Sequence, residues 1–282
     1  MTSGVDERQG GQPFDVIAFD GDDTLWHNER SYRAGREQFQ RMLADAGVRL
    51  SLDAIERRVT RAEVANIRYF GYGVSSFVLS LIETAIEVTG GRVTGRSLRH
   101  MIDLAQQMVT EQIEIFETAH DVLSQLSATY PLMLVTKGDL LHQRSKLDRS
   151  GLHQYFRYVE IVSHKTPEVY RSILTRHAIE PMRFLMVGNS LRSDVLPVVA
   201  AGGWAVHVPA TLTWSHERAR ATRADRRRFF EASSLADLLD IVRRFGDDGG
   251  LPARRSRSAA GPRDRSGVRA VRRKPSVGGR RR

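Results

Sequence analysis

The chain reads as an α/β protein, a doubly wound parallel sheet carrying one long helical insertion. Short apolar runs at residues 14–19, 132–136, 158–162, 184–188 and 204–208 are bounded by turn formers, and residues 26–130 are mostly helical by pattern. A run of about four to eight apolar residues between turn formers predicts a buried strand. Four of these runs lead into polar clusters, so a parallel sheet gathers those clusters at one edge. Within the insertion, Tyr32, Phe39, Met42, Leu43 and Ala46 recur at helical spacing, as do Leu52, Ile55, Val59 and Ala62. Phe77, Val78, Leu81, Ile82, Ala85 and Ile86 repeat it more strongly, and a fourth helix runs through Leu98, Met101, Ile102, Ala105, Met108 and Val109. Thr166-Pro167-Glu168 opens a helix with proline in its first turn, and Leu235, Leu238, Leu239, Ile241 and Val242 mark a closing helix.

The first run, Phe14 to Phe19, delivers Asp20 and Asp22 into a turn that contains Gly21. Ligands of open α/β sheets bind beyond the carboxyl ends of the strands, which is where these acids fall. With side chains alternating along an extended chain, Asp20 and Asp22 face the same way. One carboxylate of such a pair can attack as a nucleophile while the other exchanges a proton with the leaving group. The second run ends in Thr136, Lys137 and Gly138. Lys165 follows the third across a short polar turn. The fourth ends in Gly188-Asn189-Ser190 with Asp194 beyond.

The ordered set D-x-D-x-T at Asp20 to Thr24, then Thr136, Lys165 and G-N-S-x-x-x-D at Gly188 to Asp194, resembles the haloacid dehalogenase superfamily, specifically its phosphatase-like branch. The resemblance spans roughly residues 14–243. It implies a Rossmann-like core and a Mg²⁺-dependent phosphohydrolase acting on a small phosphorylated metabolite through an aspartyl-phosphate. By the same resemblance Asp20 is the nucleophile and Asp22 the general acid/base. Thr136 and Lys165 hold phosphate, and Mg²⁺ takes Asp20, Asp194 and the backbone carbonyl of Asp22, with Asn189 a further candidate ligand. Mg²⁺ prefers hard oxygen ligands, which this set supplies. Haloacid dehalogenases proper lack an acid at the position of Asp22, so Asp22 argues for phosphoryl transfer. Two departures stand out. Many relatives carry an acid where this chain has Asn189, and a small polar residue where it has Lys137. The Lys137 amine either binds a second anionic group of the substrate or faces water.

An insertion between the first and second strands is similar to the superfamily's helical cap, which would place a cap at residues 30–115 and the core at 14–29 and 116–245. Such a cap closes over the cleft and excludes water. Arg68-Tyr69-Phe70-Gly71-Tyr72-Gly73 is the candidate substrate-contacting segment, its aromatics alternatively packing within the cap. Trp26-His27-Asn28 either lines the entrance or forms the hinge.

Composition bounds the remaining options. The 282 residues are 41 % hydrophobic, enough for one α/β core and a small second unit, and no run reaches the roughly 18 apolar residues of a membrane span. The polar residues 1–13 are expected to be disordered and carry no signal-peptide pattern; with no cysteine in the chain, the expected location is the cytoplasm. The net charge of +10 is concentrated in residues 253–282, which carry +11 and leave −1 on the rest. Residues 246–282 are therefore expected to be a disordered basic tail, able to contact nucleic acid or an anionic surface weakly. The alternative reading of the whole chain is a catalytically weak relative acting as a regulator, with Asn189 its support, or as an anion or nucleic-acid binder through that tail.

Overall fold

The computed structural model describes residues 12–212, 214–217 and 219–247, so the expectations of disorder at residues 1–11 and 248–282 lie outside the described residues, whereas Gly246 and Asp247, expected in the tail, belong to the last helix. Among the described residues, six parallel strands form one sheet: β1 (Val16–Phe19), β2 (Leu132–Lys137), β3 (Phe156–Val162), β4 (Phe184–Gly188), β5 (Trp204–His207) and β6 (Phe229–Glu231). Their order is β3-β2-β1-β4-β5-β6. Ile17 pairs with Leu132 on one side and Leu185 on the other, which puts β1 at the centre. The chain leaves β1 towards β2 and β3, then returns to β4 on its opposite flank. That reversal opens a crevice at the strand ends of β1 and β4.

The helices are α1 (Glu29–Asp45), α2 (Leu52–Phe70), α3 (Val74–Thr89), α4 (Gly95–Thr110), α5 (Ala119–Ser127), α6 (Leu140–Ser150), α7 (Pro167–Arg176), α8 (Leu196–Ala200) and α9 (Asp237–Asp247). Alternation along the strands splits the sheet's core in two. Ile17, Phe19, Leu134, Leu185 and Val187 pack with Val122 and Leu123 of α5 and Leu238, Val242 and Phe245 of α9. Val16, Ala18, Met133, Val135 and Met186 face the other way, onto Tyr170, Ile173 and Leu174 of α7 and Val198 of α8. This double burial explains why the central strands are continuous apolar runs.

Helices α1–α4 have their own core, built from Phe39, Leu43, Ile55, Val59, Phe77, Leu81, Met101, Leu104 and Met108, with none of these residues in the sheet's clusters. Side-chain oxygens start several helices where the sequence places them. Ser51 accepts from Ala54 N–H at 3.2 Å, Thr94 from Ser97 N–H at 3.1 Å, and Asp139 from His142 N–H at 2.9 Å. Strands β1 and β3 begin two residues away from the predicted starts, β6 was not anticipated, and α6 fills a place between strands for which the sequence set no bounds. Among the described residues, no helix is long and apolar enough to cross a membrane.

Candidate active site

The crevice between the ends of β1 and β4 holds a cavity of about 140 Å³. Asp20, Asp22, Thr136, Lys137, Lys165, Asn189 and Asp194 all line it, so the candidate catalytic, phosphate and metal residues named from the sequence arrive at one place. Asp20 follows β1 directly and is anchored by its own N–H, which donates to Val187 O at 2.9 Å. Lys165, at the foot of α7, is buried and donates Nζ to Asp20 Oδ1 at 2.5 Å and to Asp194 Oδ1 at 2.6 Å. The Thr24 hydroxyl donates to the other Asp20 oxygen at 2.9 Å and accepts from Asn189 N–H at 3.1 Å, tying the β1 loop to the β4 loop.

The β4 loop is shaped around Asp194. Its Oδ2 accepts from Ser190 N–H at 2.9 Å, and the side chain lies so close over Gly188 that a Cβ there would fall 2.4 Å from that oxygen. Gly21 plays the equivalent part in the β1 loop, where a Cβ would sit 2.5 Å from the Trp26 ring. Glycine is required at both positions by close approach.

Burial, and secondarily the Asp194 carboxylate, push Asp20 up to about 7, with Lys165 opposing them. Burial works against charge on Lys165 too, but Asp194 and Asp20 outweigh it and raise that group above its ordinary value. Asp22 goes the other way. Burial raises it, but Lys146 Nζ at 2.8 Å, Trp26 Nε1 at 2.7 Å and Gln143 Nε2 at 2.9 Å together hold it below the usual carboxylate range. Two acids separated by one residue thus differ in proton affinity because burial and a lysine shared with Asp194 dominate at Asp20, whereas Lys146, Trp26 and Gln143 all favour the charged form of the half-buried Asp22.

Sequence reasoning missed Lys146 and Gln143. Both lie on α6 on the face shared with Leu147 and Ser150, so a lysine at core-facing spacing was the available signal. It also missed Glu217, which takes Lys137 as its partner. Lys137 therefore neither faces water nor stands free. Its Nζ donates to Glu217 and, at 3.0 Å, to Ser193 Oγ, beneath the ring of Tyr72. Of the segment Arg68 to Gly73, only Gly71, Tyr72 and Gly73 reach the cavity, whereas Tyr69 and Phe70 are exposed at the end of α2. Trp26 is buried, His27 packs on Phe116 with ring centroids 4.1 Å apart, and Asn28 Oδ1 accepts from Lys146 at 2.6 Å.

Among the described residues, no three His, Asp or Glu side chains converge as a metal cluster. The candidate donors are instead two carboxylates, Asp20 and Asp194, with the Asn189 amide oxygen and the Asp22 carbonyl, an all-oxygen set of the kind Mg²⁺ takes with water.

Comparison with known proteins agrees with this geometry. A family model for haloacid dehalogenase-like hydrolases matches residues 14–202. A haloacid dehalogenase-like hydrolase structure from Xanthomonas campestris is 33 % identical, covering 86 % of this chain and 96 % of that one, with a TM-score of 0.75. A glyceraldehyde 3-phosphate phosphatase from Methanothermobacter thermautotrophicus is 25 % identical over 208 residues, 70 % of this chain and 87 % of that protein. L-2-haloacid dehalogenase from Xanthobacter autotrophicus, 16 % identical with a TM-score of 0.58 over 82 % of this chain and 98 % of that one, shares the fold. With its motifs in order at the switch point of a Rossmann-like parallel sheet, the chain belongs to the haloacid dehalogenase-like hydrolases.

Proposed function

We propose that the protein is a Mg²⁺-dependent phosphatase of a small phosphomonoester, working through an aspartyl-phosphate on Asp20. The observation that carries this reading is the Lys165 bridge between Asp20 and Asp194, with a third acid, Asp22, two positions along the chain from Asp20 in the same cavity. An Asp20 oxygen attacks phosphorus and the ester P–O bond breaks. Asp22 gives the departing oxygen a proton. Water then attacks the acyl-phosphate, Asp22 takes the proton from it, and inorganic phosphate leaves with Asp20 restored.

Lys165 and the Thr136 hydroxyl hold the equatorial phosphate oxygens, as a point charge and a donor do in phosphoryl transfer. When bound to Asp20, Asp194, the Asp22 carbonyl and Asn189, Mg²⁺ neutralises charge that otherwise repels a carboxylate from a phosphate. Gln143 braces both Asp22 and Thr136, to which Nε2 donates at 2.9 and 2.8 Å. Lys146 and Trp26 keep Asp22 ionised, the state that accepts a proton from water, and protonating the leaving group requires Asp22 to turn away from them. Helices α1–α4 act as a cap, with Tyr32, Arg36 and Glu63 on the helices and Tyr72 in the turn between α2 and α3 contributing to the cavity wall. The small cavity, near the size that holds a single benzene ring, and the relative named as a glyceraldehyde 3-phosphate phosphatase both favour a short leaving group. We place the enzyme in the cytoplasm.

The test is phosphate release from an aryl phosphate with and without Mg²⁺, for wild type and Asp20→Asn. Turnover that needs Mg²⁺ and falls by at least about a thousandfold in Asp20→Asn is the expected result, since loss of a nucleophile removes the covalent route. Turnover surviving in Asp20→Asn would refute it.

A further inference from the structure

One polar cluster in the cavity has no part in that chemistry. Lys137, the last residue of β2, and Ser190 and Ser193, on the loop after β4, all donate to one carboxylate, that of Glu217. Ser190 Oγ and Ser193 Oγ reach Glu217 Oε2 at 2.7 and 2.6 Å, while Lys137 takes Oε1. Glu217 lies 80 positions beyond Lys137, on a short turn (Ser215–Glu217) between β5 and β6. The three donors sit on the same strand end and loop that supply Thr136 and Asp194, and they line the same cavity. A cation and two hydroxyls meeting a carboxylate make a charge-assisted carboxylate site.

The other cations lining the cavity are committed. Lys165 holds Asp20 and Asp194, Lys146 holds Asp22, and Arg36 lies against Glu29 and Glu63 on a wall where acids outnumber it. Lys137 is paired as well, but its partner Glu217 stands on the turn between β5 and β6 and takes no part in the proposed phosphate chemistry, so it is the cation a second anion on a substrate can claim by displacing one side chain.

We propose that Lys137, Ser190 and Ser193 form a subsite for a carboxylate on the leaving group, that Glu217 occupies this subsite as an internal stand-in, and that the substrate displaces it. The substrate class is then the phosphomonoester of a short hydroxy acid, a specification that rests on the phosphatase reading. Binding costs the exchange of one carboxylate for another, so the Glu217 side chain weakens affinity for anionic esters while excluding neutral ones from any gain at Lys137.

The test compares 2-phosphoglycolate with ethyl phosphate, which lacks the carboxylate, in the full-length wild type, Glu217→Gln and Lys137→Met. Turnover is read as the ratio of kcat/KM for the two esters, and affinity by calorimetry on Asp20→Asn carrying the same changes, with circular dichroism as the check on folding. Glu217→Gln is expected to raise the preference for phosphoglycolate by about tenfold, chiefly through KM, and Lys137→Met to lower it by about tenfold or more, the scale of a charge-assisted hydrogen bond. Equal effects on both esters, or a lowered preference in Glu217→Gln, would overturn the subsite and leave the phosphatase reading standing. Should no variant release phosphate from any ester, the phosphatase reading fails, and the calorimetric preference still decides the subsite. If Lys137→Met does not fold, Glu217→Gln decides it alone.

Discussion

Asp20 sits in conflict with its surroundings, since it is buried beside Asp194 and shares a single lysine with it. Its folded value of about 7 lies above its ordinary 3.8, so between these limits the folded protein keeps a proton that the unfolded chain has released. This group's contribution to stability is therefore complete below the lower value and lost as pH rises through the upper one. Asp20→Asn removes that dependence. In metal-free protein, the melting temperature of the variant is expected to decline less than that of wild type from about pH 5 to about pH 8; parallel curves would contradict the assignment. Gly188 makes a second residue-scale prediction. With a Cβ 2.4 Å from the Asp194 carboxylate, Gly188→Ala must move that side chain off Lys165. A loss of turnover of about a hundredfold or more is expected, with far smaller loss of fold, because displacements near 1 Å at a reacting centre carry that penalty. Full activity in Gly188→Ala would show that Asp194's position is not needed.

At the scale of elements, α1 and α2 are joined by a buried charge cluster. Arg36 of α1 makes a two-pronged contact to Glu63 of α2 at 2.9 Å to each oxygen, and also pairs with Glu29 and Glu56. Removing one partner of a buried pair leaves an uncompensated charge, a loss of about 3–5 kcal/mol. Because the hydrophobic core of α1–α4 shares no residue with the sheet's clusters, the loss should be local. Hydrogen exchange of Arg36→Met is expected to accelerate across α1–α4 and leave β1 and β4 at wild-type protection. Uniform acceleration through the sheet would mean that the two units unfold together. Arg36, Glu29 and Glu63 also line the cavity, so this variant's KM should rise together with the exchange rate.

The whole molecule shows which parts of this arrangement were written locally. The strands at residues 132, 184 and 204 and the helices of the insertion were legible because each carries its own period, and burial on both faces of the sheet leaves continuous apolar runs that no surface element has. Asp20, Thr136, Lys165 and Asp194 were legible because a parallel sheet brings strand ends to one edge, so chain order alone carries them together. The three-residue strand β6 and the helix α6 lacked a comparable signal, being short or mixed in polarity. What the sequence by itself determined was the fold class and which polar residues the strand ends carry to one cavity. Only the tertiary structure decided how their charges are divided: Lys146 to Asp22, Lys165 to Asp20 and Asp194, Lys137 to Glu217. Periodicity is a property of neighbours along the chain. An ion pair between residues 80 or 124 positions apart is fixed instead by which side chains the packed helices and loops bring within reach.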